Sequence, residues 1–552
     1  MTYEISIEAQ RRPVQSALGL GSISISSYGA VPGVDSYALI QNIFDNEQSV
    51  FIPYGTYDVS DTLRPAPGQH IHGPGVLRAD RLVTILDVGG ADDLTLEGIG
   101  ITHGVTSGWT SDFVPALSDE AGAADRVTLR NLRIFETNYF GVLVDSGSNA
   151  WDVDGCKIIR TGRDGVDIRG GYGHRIRGCY AEDSGDDAFV ITNRRVGSTT
   201  YQVTDSSVIG CTIIRPGSIN LGGSGIRIGG KGMVVSGNTI LEPNRYGIAV
   251  SSLDADGATR PDDVVVRGNT VRGLNSSRID AVACLMLRDV ESLQSVGNVW
   301  DCQGDNASPV GSAWLLKNNP TGGAQNGDVE SVGDRVVGAA ETLRHENYNT
   351  KSFRRRGGRD VRCVRPTRWA QGASYPMGLY EVQGLEVVEP AGNAFFARDT
   401  GEPSIDEVNF SDLRIRSAST PTSAPMDFGA DASKVTKAFV KRSNFNGAPA
   451  ISFTACTRAW FDYDMFYSVV ARGTATLLSG NTTTTVTFGA ALSYAIDPRD
   501  VQVMPRTPIA FSVGTITSSG FIINVATAPG ANVIFDWQTK EPLIRRANGT
   551  AA

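Results

Sequence analysis

"DGCKIIRTGRDGVDI" (154–168) and "RGCYAEDSGDDAFVI" (177–191) superimpose at an offset of 23, Gly155 on Gly178 and Gly165 on Ala188. The same ten-residue step from a glycine to a small residue returns in "SGNTILEPNRYGIAV" (236–250), from Gly237 to Gly247. In "IGCTIIRPGSINLGGSGIRI" (209–228) it is stretched to fifteen, Gly210 to Gly225, as a five-residue loop insertion would do. Further copies begin "RNLRIFETNYFGVLV" (130–144), "RGNTVRG" (267–273) and "VGNVWDC" (296–302), and "LTLEGIGIT" (94–102) matches "VTLRNLRIF" (127–135). A period of this length is the mark of a stacked repeat architecture.

Each unit of about 23–32 residues holds short apolar–polar alternations cut by glycine and asparagine, which predicts several short strands per coil and no helix. One such coil cannot bury its own apolar face, so coils must stack and pair their strands ~4.8 Å apart. The residue after the glycine runs Cys156, Cys179, Cys211, then Asn238, Asn269, Asn298. Identical side chains at one level of successive coils are what stacking requires, thiols packing in the core and amides bonding up a ladder. Leucine-rich and propeller repeats are the alternatives, and neither the leucine spacing nor a tryptophan–aspartate signature is present. The expected fold is all-β, a right-handed parallel β-helix.

The apolar fraction is ordinary at 41%, which does not suggest disorder. The 552 residues carry a net charge of −9, which argues against a nucleic-acid binder. No stretch reaches the ~18–20 apolar residues of a membrane span, and "MTYEISIEAQRRPVQ" has no apolar core of a secretory signal. The seven cysteines are odd in number and form no CxxC pair, so neither a zinc site nor a disulfide framework is expected, and no cofactor is implied.

The segment "ISSYGAVPGVDSYALIQNIFDNEQSVFIPYGTYDVSDTLR" (25–64) resembles the start of many pectate-lyase-like β-helix proteins. The resemblance implies that Tyr37 to Phe44 form a helix capping the first coil. Past about residue 320 the repeat fades. "KSFRRRGGRDVRCVRPTR" (351–368) has eight basic residues and one acid, suiting either an anionic ligand or a solvated or inter-subunit stretch. Residues 472–540 alternate apolar and Thr/Ser residues between Gly/Asn turns and read as a small antiparallel β-sandwich. That module resembles the terminal modules of phage tail spikes and fibres, notably in "GFIINV" and "VIFDW". The division expected is 1–24 for particle attachment, 25–345 for the β-helix, 346–470 for a β-rich connection and 471–552 for the C-terminal module. The resemblance implies a homotrimeric virion spike, assembled in the host cytoplasm and acting at a bacterial surface.

The offset of 23 also brings Asp164 to the level of Asp187, with Asp186 beside it. Three acids within a few ångströms cannot all stay ionised cheaply, so one should hold a proton while another activates water. Asp–Asp after glycine is also a good turn former without any chemistry. The order "GRDGVDI", "GDDAF", "GSGIRIGGKG" resembles the motif order of the polygalacturonase family of inverting glycoside hydrolases. That resemblance implies Asp186 as general acid, with Asp164 and Asp187 holding the attacking water. Ser224 stands where the family has histidine, and "GIAVSS" (247–252) replaces its Arg-Ile-Lys triplet, so a glycan other than pectin is implied. Arg227 and Lys231 are the partial substitutes; with Ser224, Asp167 and Arg163 they are the candidate substrate contacts. Glu182 and Asp183 are expected to face solvent. Arg163, Arg169, Arg175, Arg177, Arg194 and Arg195 suit an acidic glycan as a group. His174, Trp109, Trp151, Tyr139 and Tyr172 suit either sugar contact or ordinary packing. A non-catalytic glycan-binding adhesin and a polysaccharide lyase or epimerase stay open beside the hydrolase, as does calcium binding by the same aspartates.

Overall fold

Glycine at the head of each repeat is a corner. Gly155, Gly178, Gly210, Gly237, Gly268 and Gly297 all have φ between 59° and 66°, the left-handed region open to glycine at little cost. Each corner follows a strand of one sheet and points the next residue inward before a strand of a second sheet. The structure is a computed structural model. It describes residues 21–545 apart from 81, 105–113, 198, 220–221, 252–258, 275–281, 305–310, 318–325, 346–349, 370–376, 390–395, 398–404, 417–425, 428–434, 442–450, 453–455, 462–466, 488–500, 518 and 543.

Three long parallel sheets form a right-handed β-helix, with 17, 14 and 11 strands among the described residues. Successive coils pair in register: Lys157 opposes Tyr180, Tyr180 opposes Thr212, and Thr212 opposes Thr239. The apolar residues of all three sheets meet in one core, whose largest fully buried side chains are Trp151, Trp300 and Trp314. The ladder drawn from the sequence is present. Asn238, Asn269 and Asn298 are buried, and the Nδ2 of Asn238 and of Asn269 donates to the Oδ1 of the next at 2.9 and 3.0 Å. It runs one rung further than the sequence pattern suggested, ending on Asp334, whose Oδ1 accepts from the backbone and side chain of Asn298 at 2.7 and 3.0 Å.

The helix Tyr37–Phe44 closes the first coil, burying Ile40, Ile43 and Phe44. Ile23–Ser24 already pairs with Ser49–Phe51, so the first coil takes in the last residues of the expected attachment segment; residues 1–20 lie outside the described ones.

Stacking does not stop at residue 345. Thr350–Arg356, Met377–Gln383, Ile405–Ser411, Val435–Lys441 and Cys456–Phe461 continue the first sheet in parallel register. The region set apart as a connection, 346–470, therefore carries further rungs. Its first-sheet strands are seven or six residues long and lack the Gly-Asn and Gly-Cys corners that marked the earlier units. Within the basic stretch, Arg354, Arg359 and Arg362 pair with Glu381, Glu386 and Glu389 of the following coil, Arg356 pairs with Glu330 of the preceding one, and Arg355 is buried against Asp360.

The C-terminal module is antiparallel. Tyr467–Leu477, Val533–Pro542 and Val501–Pro505 form one three-stranded sheet; Thr483–Thr487, Gly520–Val525 and Phe511–Thr517 form another. Leu477, Phe535 and Trp537 of the first pack on Val486, Phe521 and Ile523 of the second, which makes the expected sandwich.

Candidate active site

The turn that leads into the third sheet passes through a close backbone approach. A Cβ at Gly162 would lie 2.0 Å from the carbonyl oxygen of Asn138, and one at Gly185 would lie 2.2 Å from that of Gly162. Glycine before the acidic residues is thus a packing requirement of stacked turns. It places Arg163-Asp164 and Asp186-Asp187 one coil apart, with Val166–Arg169 and Phe189–Thr192 following as paired strands. Val166 and Ile168 enter the core; Asp167 and Arg169 alternate with them on the outer face.

Asp164, Asp186 and Asp187 come together as the offset implied, each offering an oxygen within 4.8 Å of the others. The backbone N–H of Asp187 donates to Oδ1 of Asp164 at 2.9 Å, and that of Ser224 donates to Oδ1 of Asp187 at 2.5 Å. Arg227 sits 2.6 Å from Oδ2 of Asp187. Arg163 lies 3.5 Å from Asp164 and 4.0 Å from Asp186, against the rings of Tyr139 and Phe140, with Nη1 donating to the Tyr139 hydroxyl at 2.6 Å. Asp167 joins the group through Arg169, at 2.5 Å. Arg169 and Arg194 both reach Asp145 at the rim.

Asp164, Asp167 and Asp187 are buried at 3, 2 and 4% exposure, and Asp186 is the most open at 9%. Burial raises the Asp164 carboxyl well above its usual range, and the charges of Asp167, Asp187 and Asp186 raise it further. Burial also pushes Asp167 up, against the pull of Arg169. Asp164, Asp167, Asp186 and Asp187 face Arg163, Arg169 and Arg227, which leaves one surplus negative charge if all ionise. A single proton neutralises that surplus. The three aspartates also have the donor set for a divalent cation, which would overshoot the balance with these three arginines in place.

Arg227 therefore reaches the cluster, as an ion-pair partner of Asp187. Ser224 reaches it through its backbone N–H; its hydroxyl is buried and has no hydrogen-bond partner among the described residues. Lys231 is not with them. The chain turns through Gly229 and Gly230 first, and Lys231 pairs instead with Asp262 at 3.5 Å, largely exposed. Glu182 and Asp183 lie apart, both bound by Arg215. His174 is fully buried, accepting from the Trp151 N–H, and burial pushes its pKa down to about 4. Trp151 is core, Tyr139 is buried beneath Arg163, Tyr172 is exposed, and Trp109 lies outside the described residues. Arg177 pairs with Asp152 on the first sheet, while Arg194 and Arg195 start a hairpin closed by Thr199–Tyr201. Tyr139 takes the packing alternative, Phe140 beside it went unread in the sequence, and the i,i+2 step from Asp167 to Arg169 was the available signal for the pairing of those two residues.

A family model described as a right-handed β-helix region matches residues 120–286. No curated protein sequence matches the chain. Among solved structures, the tailspike protein of E. coli bacteriophage HK620, as a double mutant, is similar over 95% of this chain and 94% of that one, with 11% identity and a TM-score of 0.56. The same tailspike in complex with a pentasaccharide is similar over the same shares, at 11% identity and a TM-score of 0.53. The catalytic unit of a thermostable GH87 α-1,3-glucanase from Streptomyces thermodiastaticus strain HF3-3 is similar over 74% of this chain and 70% of that one, at 18% identity and a TM-score of 0.52. At these identities the likeness is one of fold.

Proposed function

We propose that this protein is a homotrimeric virion spike that binds a bacterial surface polysaccharide and hydrolyses it with Asp164, Asp186 and Asp187. The observation that carries the reading is the meeting of these three carboxylates across two coils, where burial and mutual charge raise the Asp164 carboxyl. The similarity in fold to a tailspike bound to a pentasaccharide and to a glucanase supports it.

In this reading the cluster holds one proton. At rest it lies on Asp164, whose carboxyl burial and neighbouring negative charge raise well above its usual range. Asp186, the most open of the three, meets the glycosidic oxygen. The proton passes from Asp164 to Asp186 and on to the leaving sugar as the glycosidic bond breaks. Asp164 and Asp187 are then both ionised and hold the attacking water. Two acceptors sharing one water stand about 4.4 Å apart, from a hydrogen bond of ~2.8 Å and the water angle; the 4.8 Å limit accommodates this. As water attacks the anomeric carbon, its proton returns to Asp164 and the charge count is restored. A single displacement by water inverts the anomeric centre, here with acid and base oxygens within 4.8 Å, closer than the ~6.5–9.5 Å usual for inverting carboxyl pairs. Arg227 pairs with Asp187 and orients it, and Arg163 spans Asp164 and Asp186.

The burial of Asp164 and Asp187 favours a second reading, an adhesin of the same fold that binds glycan without cutting it. Purified protein incubated with capsular polysaccharides separates the two. New reducing ends support hydrolysis, bound but unshortened polymer supports the adhesin, and products absorbing as unsaturated uronates point to a lyase.

A further inference from the structure

The five-residue insertion between Gly210 and Gly225 falls on the coil above Asp186. Register fixes its place: Glu182 opposes Ile214 before it, and Phe189 opposes Ile226 after it. The following coil joins the same two sheets without it, since Ile214 opposes Leu241 and Ser224 opposes Tyr246. Between those points one coil takes nine residues, 215–223, and the next takes four, 242–245. Four residues are enough for stacking, so the longer connection answers another demand.

It folds down over the turn that carries Asp186. The Ser218 hydroxyl reaches the carbonyl oxygens of Asp183 and Ser184 at 3.2 and 3.0 Å. The Ser218 N–H donates to the Ser184 carbonyl at 2.9 Å, the Ile219 N–H to that of Gly185 at 3.2 Å, and the Gly217 N–H to that of Asp186 at 2.8 Å. Three consecutive residues thus bind four consecutive carbonyls. The far end of the loop returns to the same peptide. A Cβ at Gly223 would lie 2.4 Å from the Asp186 carbonyl oxygen and 2.7 Å from the Cα of Gly217, a space open to glycine alone. At the root, Arg215 pairs with Glu182 and Asp183 at 2.6 and 2.7 Å. From the next coil, the side-chain amide of Asn244 donates to the Gly217 carbonyl at 2.8 Å.

Asp186 stands on a turn between the strands Tyr180–Glu182 and Phe189–Thr192, outside both sheets. A side chain on a turn is only as well placed as its backbone, and a misplacement of about 1 Å costs about 10²-fold in rate. Here the Asp186 peptide is gripped from both sides: its N–H donates to the Arg163 carbonyl of the coil below at 3.1 Å, and its carbonyl accepts from Gly217 above.

We propose that the insertion is a clamp that holds Asp186 in place for proton transfer, and that Asn244 is a positioning residue acting on Asp186 through Gly217. The proposal rests on the hydrolase reading and deepens it.

Two variants of the full chain test it. Deleting residues 218–222 leaves a four-residue connection like that of the next coil, and Asn244→Ala removes the latching amide alone. Hydrogen exchange without ligand reads the turn directly. Exchange across residues 183–187 is expected to quicken about tenfold in Asn244→Ala, the effect of one lost hydrogen bond, and further in the deletion, with the strands elsewhere unchanged. On a capsular polysaccharide that the wild type cleaves, the deletion is expected to lower kcat about 10²-fold with KM unchanged, and Asn244→Ala to lower it less. Unchanged exchange across the turn in either variant would overturn the proposal, as would faster exchange with kcat unaltered or exchange that quickens throughout the solenoid. Faster exchange confined to the turn, where the wild type cuts no polymer, rejects the hydrolysis reading and leaves the clamp standing.

Discussion

The backbone N–H of Asp187 donates to Oδ1 of Asp164 at 2.9 Å, from the coil above and 23 residues away. This bond ties one acidic turn to the next and holds the Asp164 carboxyl under the Asp187 backbone, where burial and neighbouring charge make its ionisation costly.

Asparagine at 164 retains an acceptor for that N–H and mimics the protonated acid. A carboxyl with a raised folded pKa contributes stability that is fully present below its unfolded value, near 3.9, and lost as pH rises through the folded value. Over that window the wild type is expected to lose about 1.4 kcal/mol per pH unit from this group. Asp164→Asn should flatten this slope, melt at or above the wild-type temperature at pH 7, and lose hydrolytic activity. Denaturant titrations at a series of pH values measure it.

Asp187→Asn should behave in the opposite way. Its Oδ1 accepts from Ser224 and its Oδ2 faces Arg227, so the amide leaves a half-buried guanidinium without its nearest counter-ion. A loss of about 3–5 kcal/mol is expected in urea unfolding at pH 7.

The amide ladder gives a test of the fold itself. Asn269 accepts from Asn238 and donates to Asn298 and to the Val235 carbonyl, all in the buried core. Asn269→Ala strands several of these groups, and a cost of about 2–4 kcal/mol follows, to be read as a lowered melting temperature.

Lys231→Ala makes a contrasting case. Its partner Asp262 and the lysine itself are substantially exposed, and surface pairs are worth ~0–1 kcal/mol. Stability and glycan turnover should both stay near wild type.

Much of this was legible in the sequence because the fold repeats. Glycine corners, the Cys-then-Asn column and the 23-residue offset each report a constraint imposed by the coil beneath, so the Asp164–Asp187 level could be read before any coordinates. Lys231 misled because proximity in sequence to Arg227 ignores the corner at Gly229–Gly230. The rungs beyond residue 345 were missed because their corners lack the Gly-Asn mark. The burial of the cluster, and the approach of Arg227 to Asp187, depend on how side chains from separate coils fill the outer face, which no single repeat encodes.

The most direct test is a reducing-end assay of wild type and Asp186→Asn on capsular polysaccharides that the wild type retains. Wild type should release new ends from at least one of them, and Asp186→Asn should bind that polymer with similar affinity and release about 1% or less, given the 10²–10⁴-fold that a general acid contributes. Equal release by both proteins, or binding by wild type with no release from any polymer, would contradict catalysis at the aspartate cluster.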